Sequence, residues 1–108
     1  MQIRESDWKV FRRLHSIALE RYCKRVLEEV RLATECSGEY HDHYRNVYRL
    51  IRERDKTMAA TFDDPGRSTA FILLANMISE RLLTEDELTE FSVEVQERIE
   101  ALNELRRE

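Results

Sequence analysis

Glycine and proline are nearly missing from this chain, with two glycines and one proline in 108 residues. Too little material remains for the tight turns of an antiparallel sheet, which excludes a β-rich fold. Long apolar runs are missing as well. The longest, Ala70 to Ala75, has six residues, against the ~20 a membrane-spanning helix requires. Charges stand at the N-terminus where an export signal would carry its apolar stretch, so a cytoplasmic protein with no membrane partner is expected. Cysteine is scarce. Cys23 and Cys36 fall on what reads as one helix, ~20 Å apart at ~1.5 Å rise per residue, and cannot bridge. Free thiols in a reducing compartment follow. There is no Gly-rich phosphate loop and no Ser–His–acid elbow, so no cofactor is implied and an enzyme is disfavoured.

What is present favours helix, with Leu, Glu and Arg dominating. Ser6 or Asp7 can cap a first helix running to about Cys36, with Phe11, Leu14, Ala18, Tyr22, Val26, Val30 and Ala33 recurring at three- and four-residue steps. Ser37-Gly38 stops it. A second helix spans about Glu39 to Phe62, and its apolar stripe is Tyr40, Tyr44, Val47, Tyr48, Ile51, Met58 and Phe62. So short a connection makes the pair an antiparallel hairpin. Asp64 as cap and Pro65 at the first helical position open a third helix reaching about Leu83, apolar on nearly every side and therefore central. Thr84-Glu85-Asp86-Glu87 is a capping box that starts a fourth helix at Glu85. Ser92 is a second cap, giving a short helix followed by a longer one. The fold class is all-α: one domain over residues 1–108, a compact bundle of four to five helices.

The net charge of −4 is unevenly spread: residues 1–38 carry eight Lys/Arg against six Asp/Glu, residues 39–67 six of each, and residues 68–108 four against ten. Arg45, Arg49, Arg52 and Lys56, at i, i+4, i+7 and i+11, project within about 60° of one another as a basic ridge beside the tyrosines. Such a ridge can grip phosphates, and nucleic-acid binding is the alternative reading. The prior expectation is that Glu53 and the acidic stretch from Glu85 to Glu108 neutralise it, and that a net negative chain repels a polyanion.

Two charges interrupt apolar arcs, Arg25 beside Tyr22 and Asp55 between Ile51 and Met58. A charge facing a core must be paired or must snorkel, so each is expected to have a charged partner inside the domain. A sharper reading joins Arg25, Asp55, Arg67 and Asn76 in a polar pocket for a small anion or a partner's carboxylate. His41-Asp42-His43 is a poor metal site because residues two apart on a helix point ~200° from each other. His15, near the Phe11–Ala18 face, reads as a partly buried, hydrogen-bonded histidine.

Ile51-Arg52-Glu53-Arg54-Asp55-Lys56, Phe62-Asp63-Asp64, Arg67-Ser68-Thr69-Ala70 and Leu82-Leu83-Thr84 together resemble a family of small uncharacterised helical proteins from bacteria, from about Trp8 onward. The resemblance implies a small bacterial cytosolic protein and brings no activity, ligand or site residue with it. The expected role is a non-enzymatic helical interaction or regulatory module. Hairpin arms of ~40 Å and ~36 Å overhang a third helix of ~28 Å. That leaves Trp8, Phe11 and the outer tyrosines short of cover, so a homodimer or another protein partner is expected.

Overall fold

Helices α1 (Glu5–Glu35) and α2 (Tyr40–Phe62) form the expected hairpin, followed by α3 (Ala70–Ser79), α4 (Glu85–Leu88) and α5 (Val93–Arg107). The computed structural model describes residues 3–107. Contacts along the hairpin run in reverse order, as antiparallel helices require. Arg54 pairs with Glu29 at 2.8 Å, the Tyr22 hydroxyl donates to the Arg54 carbonyl at 3.0 Å, and His15 Nε2 donates to the Phe62 carbonyl at 3.0 Å. His15 is thus the partly buried, hydrogen-bonded residue the sequence implied, with Phe11 and Phe62 against its ring.

α3 is central. Ala70, Leu74, Ala75 and Met77 are completely buried, and the helix packs on α1, α2 and α5. Its cover is incomplete, however, since Ile72 stays 57% exposed. Phe91, Val95 and Ile99 close the core from the α5 side, and Phe11, Leu14 and Ala18 from the α1 side. Phe11 is therefore fully covered within one chain. Trp8, half-covered, stacks on it at 5.5 Å and carries the Arg67 guanidinium 5.4 Å from its ring centre. The expectation of missing cover fails for Phe11, which the core encloses, and holds only in part for Trp8, which Arg67 of the 63–69 connection partly covers.

Helix ends depart from the sequence reading where side chains bond locally. α1 starts at Glu5 with Arg4 at its cap and no side-chain cap bond, so neither Ser6 nor Asp7 caps it. Asp7 is needed elsewhere. Its carboxylate, only 2% exposed, accepts from the Ser92 amide and hydroxyl, both at 2.8 Å. Gly38, two residues past the extended C-cap at Cys36, takes φ 141° within the turn.

Asp64 and Pro65 do not open α3 either. The Thr69 hydroxyl accepts from the Gly66 amide and lies 3.0 Å from the Asp64 carbonyl, holding residues 66–69 in a turn. Local bonds of this kind compete with helix, and Asp64 takes φ 51°. α3 ends at Ser79 rather than Leu83. The Arg81 amide donates to Ile78 and the Leu82 amide to Met77, with Arg81 at φ 57°. This is a Schellman stop with arginine where glycine is usual, and Leu82 and Met77 are both buried beside it. The capping box at Thr84 forms with both its bonds, and the break near Ser92 separates a short α4 from α5.

The bundle occupies only one end of the molecule. The extents are 53 × 30 × 24 Å and the radius of gyration is 16.6 Å, against ~13 Å for a compact domain of this length. The excess is the far half of the hairpin. Beyond Val26 no residue of α1 is buried, and before Thr61 none of α2 is.

Candidate functional site

The protruding half of the hairpin holds together by a narrow seam. Glu29, Val30 and Ala33 of α1 and His43, Val47, Leu50 and Arg54 of α2 are half-buried. Helical geometry places Tyr40, Tyr44, Tyr48 and Ile51 to one side of that seam, within an arc of about 80°. The tyrosines are 93%, 71% and 62% exposed in that order. The apolar stripe of α2 is therefore wider than the surface α1 covers. The sequence pattern was unable to show this, because tyrosine recurs at the same spacing as the packed residues.

A groove of ≈ 400 Å³ runs along this side, lined by Thr34, His43, Tyr44, Val47, Tyr48 and Ile51. A second depression of ≈ 230 Å³ adjoins it, lined by Tyr44, Arg45, Tyr48, Arg49 and Arg52. Tyr44 and Tyr48 belong to both, so an apolar trough and an arginine-lined shelf share a tyrosine wall. The buried His43 Nε2 lies against the Gly38 turn, where a Cβ would stand 3.4 Å from it, and has no hydrogen-bond partner among the described residues.

Arg45, Arg49, Arg52 and Lys56 are all exposed, and among the described residues none of them makes an ion pair. The expectation that the acidic C-terminal third neutralises this ridge fails. Three of its carboxylates go instead to α1 and its cap: Glu94 to Arg4 at 2.5 Å, Glu90 to Arg13, and Glu87 to Arg21 at 2.6 Å. Among the described residues no carboxylate of the last third pairs with α2. The Arg21 pair is the best built of the three. Its guanidinium grips both Glu87 oxygens and the Leu82 carbonyl, and holds the Glu87 carboxyl down at about 2.

The four residues of the expected polar pocket are not brought together. Arg25 is exposed, its one polar contact a 3.5 Å approach to the Arg81 carbonyl, and Asp55 is exposed without an ion pair among the described residues. Arg67 pairs with Glu5 at the opposite end of α1. Asn76 donates to the Ala60 carbonyl at 2.8 Å and lines a groove with Lys56, Thr57 and Glu80 that none of the other three reaches. The prediction that Arg25 and Asp55 each have a charged partner inside the domain fails, since both positions are exposed and neither makes an ion pair among the described residues. The interhelical ion pair is Glu29–Arg54 instead, in which Arg54 holds the Glu29 carboxyl below its ordinary value.

Among the described residues no cluster of three or more His, Cys, Asp or Glu is placed to hold a metal ion, and no helix is long and apolar enough to cross a membrane. Cys23 and Cys36 are free thiols. One further groove, of ≈ 250 Å³, lies between α3, α4 and α5, with Ile78, Leu88 and Ile99 in its floor and Glu100 and Glu104 on its rim.

The chain matches no family model, no curated protein and no solved structure.

Proposed function

We propose that this chain is a non-enzymatic helical interaction module whose contact surface is the tyrosine and arginine side of the protruding hairpin. The observation that carries this reading is the coincidence of three exposed tyrosines with an unneutralised ridge of three arginines and a lysine, on a stretch of the hairpin where no residue is buried. Tyrosine and arginine dominate binding hot spots, since each offers a large flat surface together with directional hydrogen bonds. Solvating them singly is ordinary. Three tyrosines at i, i+4 and i+8 make a continuous patch.

The bundle end supplies a rigid base. Its ion pairs and the Asp7–Ser92 bonds tie α4 and α5 to α1, so the hairpin projects from a fixed platform. The reading is tested by placing a photo-crosslinking residue at position 44 in the full chain inside cells, with the same residue at Ser79 as control. A discrete adduct from position 44, lost on Arg49→Glu/Arg52→Glu and absent at Ser79, is expected. Absence of an adduct at position 44, or one indifferent to the charge reversal, rejects the reading.

A further inference from the structure

Resting on the reading of this face as a contact surface, we infer that its partner is an acidic amphipathic helix of another protein, with apolar side chains in the trough and carboxylates on the arginine shelf. The face complements such a helix in two respects at once. The trough walls formed by Val47, Ile51 and the tyrosine rings take aliphatic side chains, and the shelf of Arg45, Arg49 and Arg52 beside it takes carboxylates. From Arg45 to Lys56 the ridge runs ~16 Å, the length of about three turns of a partner helix. Helix-in-groove recognition reads a partner of that length through anchors at i, i+3 or i+4, and i+7.

A second copy of the chain fits less well. An isologous contact through this face would set one arginine shelf near another. The chain does own an acidic helix, α5, but Val95 and Ile99 on its apolar side are buried in its own core and cannot be offered to a neighbour. A polynucleotide satisfies the shelf but brings no aliphatic side chains to the trough walls of Val47 and Ile51.

The test is fluorescence anisotropy of the full chain with three labelled probes. These are a designed amphipathic helical peptide of about four turns with leucine on one face and glutamate on its flanks, the same peptide with every glutamate replaced by lysine, and a single-stranded oligonucleotide. The expected result is micromolar binding of the glutamate peptide alone, weakened at least about tenfold by Arg49→Glu/Arg52→Glu and, separately, by Tyr44→Ala/Tyr48→Ala, and falling as salt rises. Equal binding of the lysine peptide, tighter binding of the oligonucleotide, or no binding of any probe overturns the inference. So does light scattering that shows self-association lost on Glu100→Lys/Glu104→Lys. A crosslinked partner at position 44 whose contact segment is not an acidic helix would sink this inference while leaving the interaction reading intact.

Discussion

Asp7, in the first turn of α1, receives both the backbone amide and the hydroxyl of Ser92 at 2.8 Å, across 85 residues of sequence. The pair joins the beginning of the longest helix to the beginning of the last, and the carboxylate is the one buried acid among the described residues. Asp7→Ala strands two donors in a closed site, so a loss of about 2–3 kcal/mol is expected in urea unfolding. Ser92→Ala removes the hydroxyl arm to Asp7 together with the bond that the same hydroxyl accepts from the Val95 amide, and about 1–2 kcal/mol is expected. A loss below about 0.5 kcal/mol for Asp7→Ala would mean that water replaces the bonds freely.

Arg81 holds φ 57° at the stop of α3, a conformation that suits glycine and strains a residue with a Cβ. Its amide and that of Leu82 complete the stop through backbone alone. Arg81→Gly is therefore expected to raise stability by about 0.5–1 kcal/mol, with the melting temperature rising accordingly. A fall in melting temperature would show that the arginine side chain contributes more than its backbone strain removes.

Glu87 connects stability to pH. The Arg21 hydrogen bonds lead in pulling its carboxyl from 4.5 to about 2. A folded value below the unfolded one stabilises the fold fully above about pH 5, and that contribution disappears as the pH falls toward about 2. Arg21 is 41% exposed, which screens the pair, so about 1 kcal/mol is expected at neutral pH. Comparing wild type with Glu87→Gln across this range should show a stability gap that closes on acidification. A gap independent of pH would assign the effect to the capping box instead.

Much of the architecture was legible in the sequence because it rests on periodicity and local bonds. The Thr84 capping box, the break at Ser92, the hairpin and the buried third helix follow from residues close together in the chain. The misread ends have local causes too, but ones that compete. Thr69 has the same hydroxyl chemistry as a cap and spends it on a turn, and Arg81 stands where the pattern allowed the helix to run on.

The candidate surface was only half legible. The ridge from Arg45 to Lys56 is visible at helical spacing, and so is the tyrosine stripe. Nothing in the spacing says which side of that stripe α1 covers, since the answer depends on how α2 rotates to seat Val47, Leu50 and Arg54. The fate of the acidic third was equally hidden. Glu87, Glu90 and Glu94 have arginines available on either hairpin arm, and packing of α4 and α5 on the α1 side decides the matter.

The central claim is that Tyr44 and Tyr48 are held out for contact and not for the fold. Urea unfolding of Tyr44→Ala/Tyr48→Ala tests it most directly. The account predicts a stability within about 1 kcal/mol of wild type, as for exposed positions generally, whereas Phe11→Ala in the core should lose about 3–5 kcal/mol. A loss above about 2 kcal/mol for the tyrosine pair would make them part of the hairpin's own packing and contradict the claim.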